Sequence, residues 1–173
     1  MAIKQPEPWL RGAIPGIPTL LQPVAHALVH SQENLTQVVP QLSQTQLWRS
    51  VGGTASVGFH LLHLSGSTDR LFTYARGEEL SDQQRDQLAA EQGGATPQPS
   101  AQELLDNWSS TVEESLARLR GTPVSDLLEV RYVGRARLES TVLGLLFHAA
   151  EHASRHTGQI VTTARIVIGE PSQ

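Results

Sequence analysis

Four stretches of the chain carry apolar residues three and four positions apart, and this spacing limits the fold more than any other feature. Leu20, Leu21, Val24, Leu28, Leu35 and Val38 make the first, opened by a turn at Pro15 to Pro18 and stopped near Pro40. Val57, Leu61, Leu64, Leu71 and Ala75 make the second, with Thr54 or Ser56 as N-cap and Gly77 as terminator. The third runs from about Ser100 to Leu119 on Leu104, Leu105, Trp108, Val112, Leu116 and Leu119. The fourth runs from Thr141 to Ile168. Four amphipathic helices of this length most simply bury their apolar faces against one another, so the spacing predicts an all-α bundle. Between them, Ser81 to Glu91 reads as a short amphipathic piece. Residues 92–100, with Gly93, Gly94, Pro97 and Pro99, read as a surface loop. The segment Leu127 to Leu138 holds an alternation around Val130 and Tyr132 that suits a short extended pair.

At 173 residues the expectation is one domain, 1–173, with an N-terminal extension over 1–14. No run reaches the ~18 apolar residues of a membrane helix, and the N-terminus, with Pro6, Pro8 and Trp9, lacks the apolar core of a signal peptide. The sequence therefore predicts a cytoplasmic protein without membrane contact. A net charge of −4, one lysine and dispersed arginines leave no basic stripe for phosphates, which excludes a nucleic-acid partner. The absence of cysteine removes thiolate metal sites and cysteine nucleophiles. Any metal must be held by nitrogen and oxygen.

The seven histidines fall as His26 and His30, His60 and His63, then His148, His152 and His156. Each has a partner three or four residues away on a predicted helix, and such pairs share a face. On the last helix Leu145, His148, His152, His156, Gln159 and Thr163 trace a mostly polar stripe beside the apolar line of Val142, Leu146, Ala149, Ala153 and Ile160. On the second, His60, His63, Ser67, Arg70 and Tyr74 trace another. Imidazoles gathered at a core border need a network or an ion, since an unsatisfied buried polar group costs roughly 1–3 kcal/mol. Zinc, nickel and similar borderline ions suit imidazole, and an i, i+4 pair with a third ligand from another helix fills three coordination positions. For His26 and His30 the simpler reading, surface or hydrogen-bonded side chains, stands.

The segments Ser56-Val57-Gly58-Phe59-His60-Leu61-Leu62-His63-Leu64 and Glu151-His152-Ala153-Ser154-Arg155-His156-Thr157-Gly158-Gln159-Ile160 resemble the second-helix and last-helix motifs of the DinB-like (DinB/YfiT-like) superfamily of metalloenzymes. The resemblance extends from the first helix to the end of the fourth. It implies an up-down-down-up four-helix bundle and a metal triad of one histidine from the second helix and two, four apart, from the last. Here that triad is His63, His152 and His156, with His60 as the rival to His63. It further implies a homodimer, because relatives dimerise through bundle helices.

Three functional readings follow. The first is a metal-dependent enzyme, a hydrolase or thiol S-transferase acting on a small-molecule substrate such as a low-molecular-weight thiol, with zinc or nickel as the divalent ion. The second is a non-catalytic metal-binding stress-response protein. The third is a structural bundle whose histidines bind nothing. No catalytic residue is designated. Glu151 is the nearest acid to His152 in sequence but lies about 100° away around the helix. Arg70 and Tyr74 share the His63 stripe and are read either as substrate contacts or as bundle packing. His148 is read as cavity lining, a partner of a ligand carboxylate, or core.

Overall fold

The computed structural model describes residues 5–93 and 96–169. Six α-helices and one small hairpin follow in chain order: α1 Gln22–Val38, α2 Gln44–Trp48, α3 Val57–Ala75, α4 Asp82–Gly93, α5 Ala101–Arg120, β1 Val130–Val133, β2 Leu138–Thr141 and α6 Val142–Gly169. The fold is mostly helical, as the apolar spacing predicts.

Local signals set the helix ends. Ser56 caps α3 by accepting from Phe59 N–H, which selects it over Thr54. Ser100 and Glu103 form a reciprocal capping box at α5, and Ser43 and Gln46 form one at the unpredicted α2. Gly77 follows α3 at φ +76°, a conformation that favours glycine.

Helices α1, α3, α5 and α6 enclose one hydrophobic core: α6 packs on α1 and α3, and α5 packs on the same two. Leu28, Leu35, Leu61, Leu64, Trp108 and Ile160 are fully buried in it. At one end, Trp48 binds the starts of α3 and α5 together. Its indole lies against Gly58, and its Nε1 donates to Pro99 O at 3.0 Å. Gln46 adds the end of α6 by donating to Val167 O at 3.2 Å. At the opposite end, Arg120 at the close of α5 donates to Pro15 O at 3.2 Å, ahead of α1.

Leu20 departs from the predicted apolar face. It is 59% exposed, because a 3-10 turn over Thr19–Leu21 precedes α1 and rotates it outward. Strands β1 and β2 pair antiparallel, yet Val130 and Tyr132 face outward while Arg131 and Val133 are half-buried. Arg131 donates to Ala75 O at 2.9 Å and so closes the C-terminus of α3. The predicted loop at 92–100 begins inside α4, and residues 94 and 95 lie outside the described residues. Of the predicted N-terminal extension, residues 1–4 also lie outside. The rest is tied to α1 by a bidentate Arg11–Glu33 pair. Among the described residues no helix is long and apolar enough to cross a membrane.

Candidate metal centre

The polar stripe of α3 faces that of α6 across the core border, and their histidines meet. His63 Nε2 lies 3.4 Å from His152 Nε2, and His156 Nε2 lies 3.2 Å from the same atom. One nitrogen from each of the three residues falls within 4.8 Å of the others. A four-coordinate zinc with Zn–N bonds of about 2.0–2.1 Å holds its nitrogen ligands about 3.3–3.4 Å apart. Two of the three separations lie close to that spacing, and the donor chemistry suits such an ion.

The opposite ring nitrogens explain why Nε2 faces inward. His63 Nδ1 donates to Glu91 Oε2 at 3.1 Å, and an ionised carboxylate can only accept. Ser67 donates its hydroxyl to Leu64 O, so at 3.2 Å from His152 Nδ1 it accepts from that imidazole. His156 Nδ1 lies 3.0 Å from His60 Nδ1, and with His156 as the donor its Nε2 is also bare. With these tautomers three lone pairs turn toward one another, an arrangement that suits a bound cation. Such outer partners fix tautomer and ring orientation in histidine metal sites. Phe59 adds a wall by stacking on His63, with ring centroids 5.9 Å apart.

Burial favours the neutral forms of His152, His156 and His60. Burial, followed by the nearby charges of His63 and Arg155, pulls His152 down to about 4. Burial, followed by His152, does the same to His156. Burial also lowers His60, aided by His63. For Glu91 burial opposes ionisation, but hydrogen bonds from His63 and Arg70 outweigh it and hold the carboxyl below its ordinary value.

Of the other sequence candidates, His60 lies behind His156, bonded through Nδ1 rather than converging with the three Nε2 atoms. His148 is about half exposed beside Glu151, which removes the core reading. Glu151 itself is exposed and paired with Arg155 at 2.5 Å. Arg70 is buried with both Nη atoms on Glu91, at 2.7 and 3.0 Å, so the packing reading describes it. Tyr74 is half-buried against the core. His26 bonds to Gly12 O at 3.0 Å, away from the trio.

Glu91 is the site residue that sequence reasoning missed. Its one signal is its place on a line with Gln84 and Leu88 along α4, which the polar character of that helix obscures. A cleft of about 510 Å³ between α3, α4 and α5 has Glu91 in its wall but none of the histidines.

A family profile of the DinB superfamily matches residues 27–160 of the chain. Two solved structures share its fold. A conserved protein from Enterococcus faecalis superposes with a TM-score of 0.67 at 18% identity, covering 87% of this chain and 98% of its own. A protein assigned to the DinB family from Exiguobacterium sibiricum superposes with a TM-score of 0.68 at 13% identity, covering 91% and 97%. At these identities the likeness is one of fold alone. No curated protein matches.

Proposed function

Because this chain belongs to the DinB superfamily, we propose that it holds one divalent ion on His63, His152 and His156 and acts as a metal-dependent hydrolase or thiol S-transferase. The observation that carries this reading is the convergence of three imidazoles whose outer nitrogens are already engaged. Three protein ligands are the number typical of catalytic zinc sites, against four in structural ones. Zinc and nickel are the ions proposed, as borderline metals suited to imidazole. When bound, such an ion supplies Lewis acidity, favouring deprotonation of a water or thiol brought to it.

The chain's own residues do the rest. Glu91, Ser67 and His60 hold the three rings in place, and Phe59 shields one face of His63. The proposed substrate is a small molecule, such as a low-molecular-weight thiol, in a cytoplasmic homodimer. The up-down-down-up arrangement of α1, α3, α5 and α6 is supported by the end contacts of Trp48, Gln46 and Arg120.

One observation favours a second reading, a metal-binding stress-response protein without turnover. Glu151 is paired with Arg155, and Glu91 with Arg70 and His63, so both carboxylates already hold charged or hydrogen-bonding partners.

Elemental analysis of untagged protein tests the centre. We expect about one metal per chain in the wild type, lost in His63→Ala, His152→Ala and His156→Ala and retained with weaker affinity in His60→Ala. A wild type that takes up neither zinc nor nickel on reconstitution would reduce the molecule to a histidine-rich bundle. Loss in His60→Ala with retention in His63→Ala would move the third ligand to His60. Turnover of a substrate that persists in His152→Ala would separate the activity from the metal.

A further inference from the structure

Helix α4 turns toward α3 along Gln84, Leu88 and Glu91, spaced i, i+4 and i+7. Of its described side chains only Gln84 and Glu91 are buried, and Leu88 is half-buried. A helix docked in this way gains little from apolar burial, so its seating depends on the bonds of those two polar side chains. Gln84 donates to Asp69 Oδ2 at 2.6 Å and to Thr73 Oγ1 at 2.8 Å. Glu91 takes Arg70 on both oxygens and His63 on one.

The surface of α3 is cut to receive that carboxylate. Gly66 lies beneath it, and a Cβ there would stand 2.1 Å from Glu91 Oε1. Glu91 is only 7% exposed, and a buried carboxylate is costly unless it is paired and hydrogen-bonded. Arg70 supplies the pairing charge. His63 supplies the link to the three-histidine trio.

We infer that Glu91 is a positioning residue for the metal centre, and that seating of α4 on α3 and metal loading favour one another. This rests on the three-histidine reading above. The carboxylate holds His63 as the Nδ1–H donor with Nε2 bare, and a cation on Nε2 acidifies Nδ1–H and strengthens its bond to Glu91. Such coupling is reciprocal: the factor by which α4 seating raises metal affinity is the factor by which metal secures α4.

The test measures Zn²⁺ affinity of the full chain by competition with a chromogenic chelator, in the wild type, Glu91→Gln and Gln84→Ala. Amide hydrogen exchange of α4 is followed with and without Zn²⁺. Outer-shell changes of this kind cost about 10–100-fold in metal affinity, which is the loss expected for Glu91→Gln, with a smaller one for Gln84→Ala. In the wild type Zn²⁺ slows exchange in α4 by a similar factor, and in Glu91→Gln it does not. In the metal-free wild type, ¹⁵N shifts of the His63 ring report the Nδ1–H tautomer.

Wild-type affinity in Glu91→Gln would overturn the inference. So would α4 exchange in the wild type that ignores Zn²⁺, a result that needs no variant to fold. No Zn²⁺ uptake by the wild type overturns the three-histidine reading and the coupling together. Uptake indifferent to Glu91 overturns the coupling alone.

Discussion

At the scale of single residues, burial sets how His152 and His156 respond to pH. His152 and His156 have folded pKa values near 4, below the ordinary histidine value of about 6.5. The unfolded chain therefore binds protons first as pH falls. The stability held by their neutral forms is complete above about pH 6.5 and is lost as pH drops toward 4. Thermal melts of metal-free protein from pH 7.5 to 4 should show this decline, and a flat profile above pH 4.5 would contradict the burial that causes it. A pair of glycines gives a second residue-scale test. Alanine favours a helix interior over glycine by about 0.8–1 kcal/mol. At Gly158, exposed with nothing within 4 Å of a built Cβ, Gly158→Ala should raise stability by that amount. At Gly66 the new methyl would meet Glu91 Oε1 at 2.1 Å and Arg70 Nη1 at 2.7 Å. Those flexible ends can move, but moving them separates a buried ion pair and releases His63. Gly66→Ala should therefore melt lower than wild type and bind metal more weakly. Equal gains at both positions would mean that the Glu91 pair contributes nothing there.

At the scale of elements, the short α2 determines how the longer helices meet. Its Trp48 presses a rigid indole face against Gly58 in the first turn of α3, where a Cβ would stand 2.7 Å from ring atoms. Gly58→Ala should cost about 1–3 kcal/mol, the usual range for overpacking a filled site. Denaturant melts would read this as a lower midpoint with an unchanged slope. Helix α4 contrasts with α2. It is seated through the polar bonds of Gln84 and Glu91, and the sequence reading as a short amphipathic piece locates it without revealing that its inward line is Gln84, Leu88 and Glu91. The hairpin gives a related lesson. Its alternation was legible around Val130 and Tyr132, but the stem of Arg131, reaching the end of α3, took the inner face instead.

At the scale of the whole molecule, the centre joins α3 to α6, so an ion bound there stabilises the folded chain against the unfolded one. At free zinc of a thousand times the dissociation constant the gain is about 4 kcal/mol. For a chain of this size about 1 kcal/mol moves the melting temperature by about 2–4 °C, so loading should raise it by about 8–16 °C and a chelator should reverse the rise. His152→Ala should melt at the same temperature with and without zinc. The sequence by itself determined the helical fold, because apolar spacing and Ser, Gly and Pro end signals are local properties of each segment. It also brought forward the groups His60/His63 and His148/His152/His156, because residues three or four apart on one helix share a face whatever that helix packs against, while the choice of His63, His152 and His156 among them is what the family resemblance implies. Only the tertiary structure decided which atoms meet. Glu91 sits 28 residues from His63 in the chain and Ser67 sits 85 from His152. Such distances close only when α4 settles on α3 and α3 on α6, so no periodicity within one helix could record them.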